Sequence, residues 1–72
     1  MSIFHERLKL LRNTNDIMQK DLAKILNVSD RAFRNYENGT SEPTYNNLIT
    51  LCNIFNVSAD YLLGLSDDPT RH

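Results

Sequence analysis

Tryptophan is absent, cysteine occurs once, and glycine and proline occur twice each in the 72 residues of the chain. One thiol, Cys52, cannot form an internal disulfide and suits a reducing compartment. So few glycines and prolines argue against a loop-rich fold, and with Gly39 and Gly64 far apart there is no glycine-rich loop to cradle a phosphate. No apolar run approaches a membrane span. The opening "MSIFHERLKLLR" carries Glu6, Arg7 and Lys9, so it is not a signal peptide. A cytoplasmic protein is expected. His5 and His72 lie at opposite ends without metal-ligand partners, so neither metal nor cofactor is expected. Nothing resembles an active site, which disfavours an enzyme.

What is present is a chain of one small domain, 40% hydrophobic, with a net charge of −1 that is unevenly spread. Residues 1–34 hold seven basic against four acidic side chains, a balance of +3, and residues 35–72 hold one against five, a balance of −4. The basic half can meet an anion such as nucleic acid, although the chain lacks the strongly basic composition usual for DNA binders.

Apolar residues recur at helical spacing: Phe4, Leu8 and Leu11, then Leu22, Ile25 and Leu26, then Leu48, Leu51, Cys52 and Phe55. No segment alternates strictly enough for a strand. The pattern predicts an all-α fold with helices near 2–13, 18–26, 30–38, 45–55 and 59–64. Cys52 falls on the apolar stripe and reads as a core thiol.

The tripeptide NVS occurs twice, in "ILNVSDRAF" and "IFNVSADYL". Both copies fit the N-glycosylation pattern, but the cytoplasmic setting disfavours that reading. Each fits better as helix stop, buried contact and helix start: asparagine tolerates the left-handed conformation that ends a helix, valine is buried at the corner, and serine caps the next helix. Gly39, Pro43 and Thr44 punctuate the remaining junction. The domain is expected to span 1–65, with a frayed polar tail over 66–72.

Residues 18–37, "MQKDLAKILNVSDRAFRNYE", place two short helices around a tight turn, the layout of a helix-turn-helix. Gln19 stands at the front of the first helix. Leu22, Ala23, Val28 and Phe33 face inward, with Ala23 small enough for two helices to cross closely. Together with "LKLLR", "YENG", Pro43, "LITLCNIFNVS" and "DYLLG", this segment resembles the Cro/repressor-type helix-turn-helix family of bacterial and phage regulators over roughly residues 3–65.

The resemblance implies a compact five-helix DNA-binding domain whose second motif helix enters the major groove of an operator. It implies phosphate contacts for Gln19 and Ser29, in agreement with the anion affinity of helix N-termini. Lys20, Asn38 and Thr40 join the candidate DNA-contacting set. Asp30, Arg31, Arg34 and Asn35 are candidate base readers, opposite Phe33 and Tyr36 on the helix. Arg12 and Glu37 match a family pair that forms an internal salt bridge. The sequence departs from the family at Asn27, which replaces the turn glycine, and at Asp30 and Glu42, acidic where a phosphate is close. Asp30 then has three readings: favourable helix-dipole placement, acceptance from cytosine N4, or contact with a basic protein.

Two functions follow. The first is a small Cro-like regulator, dimeric on double-stranded operator DNA, that represses by occupying a promoter as in a phage genetic switch. The second is an antirepressor-like modulator that uses Asp30 and Glu42 to bind a partner phage repressor.

Overall fold

The computed structural model describes residues 3–71. Five helices follow one another: α1 (Phe4–Thr14), α2 (Gln19–Leu26), α3 (Asp30–Asn38), α4 (Tyr45–Phe55) and α5 (Ala59–Leu63). No strand occurs among the described residues. The expected helix start at residue 2 lies outside them, as does His72.

α2 packs on α3, α1 bridges α3 and α5, and α4 packs on α5. The core that joins them consists of Phe4, Leu8, Leu22, Ala23, Leu26, Phe33, Tyr36, Leu51, Cys52 and Leu62. Ala23 is fully buried at the α2–α3 crossing, where a larger side chain would push the helices apart. Phe33 and Tyr36 meet edge to face, ring centroids 6.1 Å apart, which fixes the inward side of α3. Burial pushes the Cys52 thiol above its ordinary value, an effect that Arg71 partly offsets, so the group is a protonated core thiol rather than a nucleophile.

The two NVS corners have nearly the same geometry. Asn27 (φ 57°, ψ 45°) and Asn56 (φ 54°, ψ 49°) both end their helices in the left-handed region. Val28 N–H donates to Ala23 O at 3.0 Å and Val57 N–H to Cys52 O at 3.1 Å, closing the two helix ends alike. Ser29 Oγ then accepts from Ala32 N–H at 3.0 Å, and Ser58 Oγ from Tyr61 N–H at 3.1 Å. The valines differ: Val57 is buried and Val28 only half-buried. Thr44 caps α4 by accepting from Asn47 N–H at 3.2 Å. Gly39, at φ 81°, ends α3 against the ring of His5, where an added Cβ would be both strained and crowded.

Three features differ from the sequence expectations. Ile25 is 57% exposed, because Leu22, Ala23 and Leu26 take the inward face of α2 and a residue one step from Leu26 is turned about 100° away. Asp16 adopts φ 56° after α1, a left-handed residue that aspartate tolerates without marking it in the sequence. The tail, expected to fray, is docked. Arg7 stacks on the Tyr61 ring at 4.2 Å, donates to the carbonyls of Tyr61 and Ser66, and pairs with Asp67 at 2.8 Å. Ser58 N–H donates to Pro69 O at 3.0 Å, and Arg71 donates to Asn53 Oδ1 at 2.8 Å. A backbone carbonyl thus satisfies an amide at the start of α5 that the helix leaves free.

The corners yield a stability test. Asn27→Ala is expected to lower unfolding stability by about 1–2 kcal/mol, the cost of a left-handed residue with an ordinary Cβ, whereas Asn27→Gly changes it little. Ser58→Ala is expected to cost about 1 kcal/mol. Urea titration followed by circular dichroism measures all three.

Candidate nucleic-acid interface

The centre of the site is a carboxylate with almost no contact with water. Glu37, in the last turn of α3, is 1% exposed. Burying an ionised carboxylate requires donors, and two helices supply them. Arg12, near the end of α1, donates from Nε to Glu37 Oε2 at 2.5 Å and from its terminal nitrogen to Oε1 at 3.1 Å. Gln19, the first residue of α2, donates from Nε2 to Oε1 at 2.8 Å. Arg12 also donates to Ile17 O at 2.9 Å, tying down the α1–α2 connection. The Arg12–Glu37 bridge expected from the resemblance is therefore present, and its two-nitrogen geometry is the strong form of the pair.

Gln19 was expected to face phosphate, yet one of its amide hydrogens is spent inside the protein. The second remains, as do the backbone N–H groups of Gln19 and Lys20 at the start of α2, a helix end suited to an anion. An open cleft in front of this end is lined by Arg12, Met18, Gln19, Lys20, Asp30 and Arg34. A second, lined by Lys20, Asp21, Lys24, Asn27, Val28 and Asp30, lies beside it. α2 and the start of α3 thus share one surface, where Lys20, Lys24 and Arg34 stand against Asp21 and Asp30 while Arg12 is held by Glu37.

Along α3, Asp30, Arg31, Arg34 and Asn38 are exposed and Asn35 is half-buried. None of the side chains of Arg31, Arg34 and Asn35 makes a hydrogen bond or ion pair within the protein, among the described residues. Ser29 is occupied as the α3 cap but keeps its hydroxyl hydrogen. Thr40 donates its hydroxyl to Asn35 O at 3.3 Å, so its oxygen serves the turn after α3 before it serves any ligand. Glu42 lies elsewhere: it lines a separate cleft with Phe4, Pro43, Leu48 and Leu63. Asp30 and Glu42, paired in the sequence reading as one acidic contact, are not brought into one cleft.

Sequence reasoning left Met18 out of this surface, where it is 56% exposed beside Gln19. It also excluded Arg12, which keeps 14% of its side chain exposed in the first cleft while holding Glu37. A methionine before a helix carries no signal of its own, and an arginine with two roles reads as having one. Among the described residues no group of histidine, cysteine and acidic side chains is arranged to hold a metal ion. No helix among them is long and apolar enough to cross a membrane.

Removing either partner of the buried pair is expected to be costly. Arg12→Met or Glu37→Leu alone should lower stability by about 3–5 kcal/mol, because each leaves a charge buried without its partner. The double substitution should cost less than the sum of the two. Chemical denaturation of the four proteins in a double-mutant cycle measures the coupling.

Several known proteins are similar to this chain in sequence or in fold. The HTH-type transcriptional regulator ImmR of Bacillus subtilis (strain 168) is 41% identical over 59 residues, which cover 82% of this chain and 46% of ImmR. The crystal structure of a transcriptional regulator from Listeria innocua matches with a TM-score of 0.84 and 31% identity, over 89% of this chain and 60% of that one. The P22 c2 repressor, solved in complex with a synthetic operator, matches with a TM-score of 0.76 and 35% identity, over 83% of this chain and 91% of the repressor. The chain spans about half the length of the curated relatives it matches. A helix-turn-helix domain is matched over residues 5–67, and the chain belongs to that family.

Proposed function

We propose that the protein is a sequence-specific DNA-binding transcriptional regulator that reads a short operator with α3 and represses by occupying a promoter. The observation that carries this reading is the likeness, in both fold and sequence, to a repressor bound to its operator. Electrostatics are compatible with it: on the surface shared by α2 and α3, Lys20, Lys24 and Arg34 stand against Asp21 and Asp30, a small positive balance in a chain that is −1 overall.

In this reading the start of α2 meets the DNA backbone. The Gln19 amide, the free N–H groups beside it and the Lys20 ammonium hold phosphates, with Ser29 donating its hydroxyl nearby. Asn38 contacts the backbone past the far end of α3, and Thr40 joins it when its hydroxyl turns from Asn35 O to the phosphate. Such contacts set position and register without reading sequence. Arg31, Arg34 and Asn35 then reach base edges, the arginines suited to guanine O6 and N7 and the asparagine to adenine N6 and N7. Glu37 fixes the angle of α3 relative to the phosphate-binding end of α2, so both sets engage together.

Two copies on a two-fold operator would present their α3 helices to half-sites about one helical turn, roughly 34 Å, apart. The exposed Leu63 and Leu65 offer apolar surface for that pairing. The protein would act in the bacterial cytoplasm, where its operator is. Relatives named as transcriptional regulators favour this function over a modulator that binds a partner repressor.

Selection from a random duplex library at low salt, followed by salt titration, tests the proposal. The wild type is expected to enrich a two-fold motif, with affinity falling as salt rises. Arg31→Ala or Asn35→Ala should cost about 1–3 kcal/mol and relax single motif positions, while Gln19→Ala or Lys20→Ala should weaken all sequences alike. Four variants that bind as the wild type does would overturn the site assignment. A folded wild type that enriches nothing would overturn the function and return attention to a protein partner.

A further inference from the structure

Asp30 is an acidic side chain set among Lys20, Lys24 and Arg34. It is the first residue of α3, is exposed, and lines both clefts in front of α2. Three ordinary uses of a carboxylate at this position can be checked. It does not cap the helix, because Ser29 Oγ already accepts from Ala32 N–H at 3.0 Å. It forms no ion pair within the protein among the described residues, although Lys20, Lys24 and Arg34 line the same two clefts. Its one acidic neighbour in these clefts is Asp21, which forms no ion pair with it as a like charge, and Glu42 lines a different cleft. What remains of a purely local role is proximity to the α3 dipole, which any acidic residue of the first turn would satisfy.

We infer that Asp30 is a specificity-determining residue that accepts a hydrogen bond from the exocyclic amino group of a cytosine in the major groove. The inference rests on the operator-reading function proposed above. An ionised carboxylate is an acceptor only, so it cannot hydrogen-bond a phosphate and is repelled by one. On a surface whose Gln19, Lys20 and Arg34 draw the DNA backbone in, Asp30 is tolerated only where it meets a donor. The major-groove floor offers two, the amino groups of cytosine and adenine. Adenine places the acceptor N7 next to its amino group, which suits an amide that both donates and accepts. Cytosine presents the amino donor alone, which suits a carboxylate. Asp30 therefore acts in two ways: it rewards cytosine at one position, and its charge penalises every register that leaves it facing phosphate or a guanine edge.

Library selection with wild type, Asp30→Ala and Asp30→Asn tests this, with thermal melts to confirm that all three are folded. The wild type should favour cytosine at one motif position by roughly tenfold, within the usual range for a good side chain–base pair. Asp30→Ala should keep the rest of the motif, lose that preference to within about twofold, and bind random DNA at least as tightly as the wild type. Asp30→Asn should move the preference toward adenine. Retention of the cytosine preference in both variants overturns the inference, as does equal loosening at every position. If random-sequence affinity rises while the motif stays intact, Asp30 is only a repulsive charge and the inference fails while the operator function stands. A wild type that enriches no motif overturns the operator function and this inference with it.

Discussion

Glu37 imposes the constraint around which the domain is arranged. A carboxylate removed from water must be met by donors or become a large liability, and here the donors come from α1 and α2 while the carboxylate belongs to α3. One group therefore references three helices to a common point. Apolar packing alone would hold α3 in place but would tolerate small rotations, because dispersion contacts are non-directional. Hydrogen bonds from a planar guanidinium and an amide are directional, and they convert a packed helix into an oriented one. The cost of that orientation is desolvation of the pair, which the small core must offset.

Legibility in the sequence follows the range of the interaction. The NVS corners were readable because helix stop, corner valine and cap lie within three consecutive residues, and their backbone geometry depends little on the rest of the chain, although the depth of the valine does. The exposed face of α3 was readable from helical periodicity, since Phe33 and Tyr36 fix which side faces inward. The Arg12–Glu37 bridge joins residues 25 positions apart and was visible only through family resemblance. The bond from Gln19 to that same carboxylate, the docking of the tail by Arg7 and the placing of Glu42 and Asp30 in different clefts were not readable. Each depends on where whole helices lie relative to one another, and no local pattern encodes that.

The slightly acidic composition and the proposed DNA-binding role are compatible because electrostatics is local at cellular ionic strength. Charges further apart than a Debye length of about 8 Å are largely screened. The negative excess of residues 35–72 sits partly in the tail, where Asp67 is paired with Arg7, and in Glu37, where it is neutralised internally. The basic groups of α2 and α3 converge on neighbouring clefts. An approaching polyanion meets that surface and not the sum over the chain, so net charge is a poor guide to what so small a domain binds.

The docked tail has a consequence for how the molecule comes apart. Arg7 and Asp67 are 60 positions apart, so their pairing closes a loop that spans nearly the whole domain, whereas α2 and α3 meet across a single turn. Once the core is folded, docking the tail orders residues 64–71 at a cost in backbone entropy, rewarded by only a few polar contacts. Segments held in this way open locally, well below the free energy of global unfolding. The amide of Ser58, bonded to Pro69 O, would then exchange its hydrogen with solvent through detachment of the tail, while amides in the middle of α2 and α3 wait for the core itself to open. The domain would have two thresholds of opening, with α2 and α3 on the more resistant side.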